Sequence, residues 1–378
     1  MDDRRDMSWF TLARQPQEPL SPDGPTLTGE GLRQWRHQFR PFVRYVSRRR
    51  TVVALSGGGM AMPAHISLLR LLELLEIRPA AIYGTSAGAV VGGLFAAGMN
   101  TGQIEQAMLD IRSPDDLFGV AARYPALRLA ALAIRRQFGQ TSLDGSGIYD
   151  VDRIESHVAD ILERYIGDVP SMRELKTPFH CVSVDIGTGR SPTSERSTVR
   201  KAIFSAERTP DVSLSDAIGA SMAIPGVITP KRIGDRYYVD GAIAEHLPVL
   251  SAYVDWRSAR RRFRRDRLVI VASDLGYTGE ALKEKDLADP IDLVIYSKRI
   301  QERIINHHNL LQCHRPRRGS SVVLVRPHGV RVELYEIEKI RPCLNVAYRA
   351  AVRQLSGSDF LGETERTLAQ ARSLLGLR

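Results

Sequence analysis

The chain is short of cysteine, of long apolar runs and of internal repeats. Three cysteines, Cys181, Cys313 and Cys343, are scattered along 378 residues and form no disulfide framework. The expectation that follows is a reducing, cytoplasmic compartment. No run of about eighteen apolar residues occurs, so no membrane-spanning helix is expected. The opening Met1-Asp2-Asp3-Arg4-Arg5-Asp6 lacks an apolar signal region, and no leader is expected. No nucleic-acid-binding signature is present, which argues against that class of partner. His307, His308, Cys313 and His314 come nearest to a metal-ligand cluster. Only His307 and His314 can share a helix face, two turns apart, which is too far for one ion. Neither a metal nor a cofactor is expected.

Acidic residues are scarce in two places. The formal net charge is +10, and the residues from Arg33 to Arg50 hold seven arginines and no acid. Arg257 to Arg267 hold seven more against Asp266 alone. Such runs favour anionic partners, a phospholipid surface among them. In the first run Trp35, Phe39, Phe42, Val43 and Val46 fall near one helical face, and Arg33, Arg36, Arg40 and Arg44 near another. Two readings follow. The apolar face packs on the core, or it enters a membrane interface while the arginines meet lipid phosphates. What is present otherwise is ordinary: 43% apolar and 25% charged residues mark a globular protein with ample core.

Strands and helices alternate along the chain. Residues 1–30, with Pro16, Pro19, Pro22 and Pro25, read as a loosely ordered strap. Strands are expected at 51–55, near 82–85, at 179–186, 236–241, 268–274 and 321–326. Helices are expected at 63–76, 87–98, 151–165, 213–222, 290–312, 334–355 and 363–375. A helical run from Tyr124 to Phe138 follows the second helix and reads equally as a lid or as a peripheral packed helix. The alternation predicts one α/β domain with a mostly parallel sheet.

The chemistry centres on Ile82-Tyr83-Gly84-Thr85-Ser86-Ala87-Gly88. A short strand, a tight turn with serine at its tip and a small-residue helix make a G-x-S-x-G elbow. Gly84 and Gly88 flank Ser86 because side chains there would collide with strand and helix. Upstream, the buried strand Thr51–Leu55 runs into Ser56-Gly57-Gly58-Gly59-Met60. Three glycines between a strand and a helix let N–H groups approach a ligand oxygen, as an oxyanion hole requires.

A serine hydroxyl needs a base. None of the nine histidines is singled out by its setting. His65 and His180 read as packing residues, while His246 could complete an order Ser86…Asp240…His246. Asp240 is the stronger candidate. It ends a strand, where α/β sheets hold their sites, although a turn aspartate before glycine is also common.

Four blocks occur together and in order: Ser56-Gly57-Gly58-Gly59, Gly84-Thr85-Ser86-Ala87-Gly88, Ala220-Ser221-Met222-Ala223-Ile224-Pro225-Gly226 and Asp240-Gly241-Ala242. Together they resemble the patatin-like phospholipases of the bacterial type. Gly147-Ile148-Tyr149 and Val184-Asp185-Ile186-Gly187-Thr188-Gly189 are also similar, and the resemblance covers roughly residues 50 to 275. It implies a three-layer α/β/α fold and a Ser–Asp dyad without histidine. Ser86 would attack an ester carbonyl, and Asp240 would take its proton and return it to the leaving alcohol. The N–H groups of Gly57, Gly58 and Gly59 would hold the oxyanion, each such donor being worth about 3 kcal/mol of barrier. Met60-Ala61-Met62-Pro63 departs from the family, which usually has a basic residue and a further glycine there. Glu245-His246-Leu247-Pro248 stands where paired asparagines are common.

The resulting expectation is a lipid acyl hydrolase of phospholipase A type. Its substrate would be a phospholipid or another fatty-acyl ester, met at an anionic membrane through the arginine-rich runs. A soluble carboxylesterase or acyl-thioesterase, and a non-catalytic lipid-binding member of the family, are the alternatives. The expected organisation is an extension over 1–50, a catalytic domain over 51–275, and a C-terminal strand and helices over 276–378 packed on the same domain.

Overall fold

A computed structural model of the chain describes residues 30–112, 116, 149–188, 199–260, 266–276, 290–327 and 339–376. The expected strap over 1–30 lies outside them apart from residue 30. So do the run from Tyr124 to Phe138, Gly147, Ile148, Gly189 and the middle of the second arginine run. The strands are β1 (Arg50–Leu55), β2 (Ile82–Thr85), β3 (Phe179–Gly187), β4 (Arg200–Phe204), β5 (Lys231–Ile233), β6 (Arg236–Asp240), β7 (Leu268–Ser273) and β8 (Ser320–Val325). The helices before β3 are α1 (Glu30–His37), α2 (Arg40–Ser47), α3 (Pro63–Leu74), α4 (Ala87–Ala97), α5 (Thr101–Leu109) and α6 (Val151–Ile166). After it come α7 (Leu214–Met222), α8 (Ala242–Glu245), α9 (Val249–Arg260), α10 (Pro290–Cys313), α11 (Ile340–Leu355) and α12 (Gly362–Leu374).

Five strands run parallel in the order β3-β2-β1-β7-β8, and β4, β5 and β6 join antiparallel on the β3 side. The sheet is therefore mixed, with a mostly parallel body. Its strands are apolar on both faces because both faces are covered. Val53, Leu55, Val269, Val271, Val323 and Val325 face a layer that contains α2, α3, α4 and α11. Their alternates Val52, Ala54, Ile270, Ala272, Val322 and Leu324 face α9, α10 and α12. The period of two along each strand thus sorts the side chains into two cores, and three layers result.

The first arginine run resolves into α1 and α2, with Pro41 at the start of the second. Phe39 and Phe42 are fully buried, and Phe42 meets Phe360 edge-on at 5.9 Å. Arg40, Arg44 and Arg48 face outward. Of the two readings of this run, the packed one describes its aromatic face. The three cysteines are free and buried. Among the described residues, no helix is long and apolar enough to cross a membrane.

Candidate active site

β3 sets the geometry of the site. Cys181 and Val182 pair with both β2 and β4, so those two strands occupy opposite edges of β3. Ser183 to Asp185 pair with both β4 and β6. β2 and β6 therefore lie end to end along one edge. Thr85 is opposite Val182, and Asp240 is opposite the next residue, Ser183. The register alone places Ser86, which follows Thr85, beside Asp240.

Ser86 stands at the turn with φ 51° and ψ −117°. A side chain in this region costs about 1–3 kcal/mol and is held by its surroundings. The surroundings are tight. A Cβ on Gly84 would sit 2.5 Å from the Gly88 carbonyl oxygen, and one on Gly88 would sit 2.2 Å from that of Leu55. Only glycine lets α4 start so close to β1 and β2. Ser86 and Asp240 are both buried, with the Ser86 hydroxyl near the Asp240 carboxyl. The Ala242 N–H donates to Asp240 Oδ1 at 2.7 Å. Burial pushes the Asp240 carboxyl above its ordinary pKa. The Lys298 charge and the Ala242 and Ser86 donors oppose that rise, and Glu302 adds to it.

The glycine loop is tied from several sides. Gly57 gives its N–H to the His246 carbonyl at 3.0 Å. Gly58 and Gly59 have N–H groups that no carbonyl or side chain takes up among the described residues. The Ser56 carbonyl accepts from the Gly88 N–H at 3.0 Å and from His65 Nε2 at 2.9 Å. Burial lowers the His65 pKa to about 4, so its ring is neutral. Nε2 then carries the proton, and Nδ1 accepts from the Ser273 hydroxyl at 2.9 Å. The Ser56 hydroxyl donates to the Gly57 carbonyl at 2.7 Å and accepts from the Leu275 N–H at 2.9 Å. The departure Met60-Ala61-Met62-Pro63 forms one 3₁₀ turn and the start of α3, with all four residues buried.

Two further residues hold the pair, and the sequence reading gave them no role. The Ser86 N–H donates to Ser221 Oγ at 2.8 Å, and the Ser221 hydroxyl donates to the Val182 carbonyl at 2.6 Å. The Asp240 N–H donates to the Ala223 carbonyl at 2.9 Å. The block Ala220–Gly226 therefore grips both members of the pair, which its place among the four motifs did not reveal. His246 is elsewhere: Nδ1 lies 3.4 Å from Asn306 Nδ2, and Nε2 lies 4.0 Å from a Glu302 oxygen. Neither ring nitrogen bonds Ser86 or Asp240 among the described residues. His314 Nε2 lies 3.4 Å from Glu365, and no group of metal-ligating side chains occurs among the described residues.

A family model described as patatin-like phospholipase matches residues 53–253. An uncharacterized NTE family protein of Mycobacterium tuberculosis is 31% identical over 207 residues, covering 55% of this chain and 46% of the relative. A second uncharacterized NTE family protein of that organism is 23% identical over 240 residues, covering 64% of this chain and 32% of the relative. The chain thus spans about half the length, or less, of these curated relatives. Among solved structures, VipD from Legionella pneumophila is similar at 12% identity and TM-score 0.38, covering 82% of this chain and 67% of that one. The type III effector ExoU is similar at 14% identity and TM-score 0.33, covering 84% and 54% respectively.

Proposed function

The chain belongs to the patatin-like phospholipase family, and from that premise we propose that it is a serine lipid acyl hydrolase of phospholipase A type. The observation that carries this reading is the strand register that sets the elbow serine, Ser86, beside the buried Asp240 carboxyl. Asp240 is the base. Its raised pKa makes it a stronger proton acceptor than a solvated aspartate, while Lys298 favours the ionised form. As Ser86 Oγ attacks the acyl carbonyl, its proton passes to Asp240, and the carbonyl oxygen gains negative charge. The N–H groups of Gly58 and Gly59 receive that oxygen. Gly57, whose N–H is already committed to His246, fixes the loop instead. Collapse of the tetrahedral intermediate expels the alcohol, which takes the proton from Asp240. Water then attacks the acyl-serine by the same route in reverse and frees the fatty acid.

The substrate is a fatty-acyl ester of a phospholipid or a related lipid. The test is fatty-acid release from mixed phosphatidylglycerol and phosphatidylcholine vesicles, and turnover of a short-chain soluble ester. Wild type is expected to release acid. Ser86→Ala and Asp240→Asn are each expected to lose on the order of 10⁴-fold in kcat, as dyad members do in serine hydrolases. Full activity in Asp240→Asn would move the base elsewhere, with His246 the next residue to examine. An inert wild type on both substrates would favour a lipid-binding role instead.

A further inference from the structure

α10 is apolar on two sides. Its inner side buries Leu310 and Cys313 against the sheet. Its outer side carries Leu293, Ile300 and Ile304, respectively 38%, 38% and 36% exposed. Their spacings of seven and four residues put them on one helical face. A helix apolar on two sides belongs between two apolar layers, and among the described residues α10 has only one. The outer stripe is flanked by Arg299 and Arg303, which make no ion pair among the described residues. Among the described side chains of α10 the one acid, Glu302, is turned inward to Lys298 at 3.6 Å and to His246 at 4.0 Å.

The same helix reaches the dyad. Lys298 and Glu302 are close enough to act on the Asp240 carboxyl, and Asn306 accepts the Leu247 N–H at 3.2 Å. Ile243, three residues beyond Asp240, is 45% exposed. The N-terminal arginine run differs, because its Phe39, Phe42 and Val46 are already spent in the core.

We propose that the outer face of α10, formed by Leu293, Ile300 and Ile304 with Arg299 and Arg303 beside them, seats the protein on an anionic phospholipid bilayer. The proposal rests on the lipid-hydrolase reading for its purpose, but its binding step stands apart from turnover. Shallow apolar insertion combined with cations beside it is how interfacial helices bind anionic lipid. A second copy of the chain fits less well. Two-fold packing about Ile300 and Ile304 would bring Arg299 and Arg303 toward their own copies. Three partly exposed side chains also fall short of the roughly 800 Å² per partner that stable dimers bury.

The test uses the full chain and vesicles of phosphatidylglycerol and phosphatidylcholine, with partitioning measured by flotation and turnover followed on a short-chain soluble ester. The double variant Ile300→Glu with Ile304→Glu is expected to lose at least about tenfold in partitioning. Soluble-ester turnover is expected to stay at the wild-type level. Arg299→Glu with Arg303→Glu is expected to weaken binding at low salt, whereas Arg40→Glu with Arg44→Glu has a smaller effect. Ile304→Trp, a conservative change on an exposed site, is expected to bind at least as well and to shift its emission to the blue on mixing with vesicles. Wild-type partitioning in the double variant, no spectral shift in Ile304→Trp, or a wild-type dimer that the double variant dissociates would each overturn the proposal. Loss of partitioning in the variant of a chain that hydrolyses neither substrate would uphold the surface and remove the hydrolase reading.

Discussion

In the proposed mechanism Asp240 has to be ionised to accept a proton, yet burial raises its pKa, so neighbouring charges decide the pH at which it becomes competent. Two of them come from α10. Lys298 lowers the Asp240 pKa and Glu302 raises it. The acid limb of kcat/KM on a soluble ester reports the free-enzyme base. Removing the opposite charge in Lys298→Gln is expected to move that limb to higher pH. Removing the like charge in Glu302→Gln is expected to move it to lower pH. A limb unmoved in both variants would assign it to another group. Residues of this kind were not legible in the sequence, because Lys298 lies 58 positions from Asp240 with no shared motif. Ser86 and Asp240 themselves were legible as candidates, since each sits in a short pattern with a local steric or positional reason. Gly57 sits in such a pattern too, but its N–H is engaged by a carbonyl from another element, His246. Ser221 illustrates the same limit: its motif was visible, but its grip on the Ser86 N–H depends on a tertiary contact.

At the scale of elements, the elbow depends on how closely α4 lies against β1. The Gly88 N–H meets the Ser56 carbonyl at 3.0 Å, directly below the glycine loop. Gly88→Ala would set a methyl 2.2 Å from the Leu55 carbonyl oxygen and force the two elements apart. The expected cost is about 1–3 kcal/mol of stability, read as a lower denaturation midpoint. A larger fractional loss of kcat is expected, because the Ser86 turn and the Gly58–Gly59 donors would separate. A variant with wild-type kcat would show that this packing serves stability alone. Elements with a strong period were legible: the expected helix at 290–312 is α10, and the expected strand at 268–274 is β7. β4 was not, because Arg-Lys-Ala-Ile-Phe carries little alternation and is held by pairing with β3, Phe204 opposite Cys181. α9 was also missed. Its Val249, Ala252 and Trp256 are helically spaced and buried, but they run into the second arginine-rich stretch.

At the scale of the molecule, the matched family region ends at residue 253, whereas the sheet does not. β7 pairs β1 along six residues and β8 pairs β7 along six more. α11 packs on α3, where Ser67 donates to the Leu344 carbonyl at 2.9 Å. Arg326, at the end of β8, pairs with the buried Asp274 and lies 3.3 Å from Thr367 of α12. The last hundred residues therefore cover one face of α3, close the sheet beyond β7, neutralise a buried carboxylate and bring Lys298 within electrostatic reach of Asp240. A chain ending at residue 275 would leave the β7 edge unpaired and Asp274 buried without its cation. Loss of such a partner alone costs about 3–5 kcal/mol, a large share of the roughly 5–15 kcal/mol that holds a domain together. The shortened chain is expected to be insoluble or to show no cooperative thermal transition, and to lack soluble-ester turnover. Should it unfold cooperatively and turn over ester at the wild-type rate, β8 and α10 to α12 would be an accessory layer, and the site would be complete within the first 275 residues. The bonds that run from Ser56 to Leu275, from Leu247 to Asn306 and from Ser67 to Leu344 favour the first outcome, because each joins the site or its supporting helix to the region that would be lost or left loose.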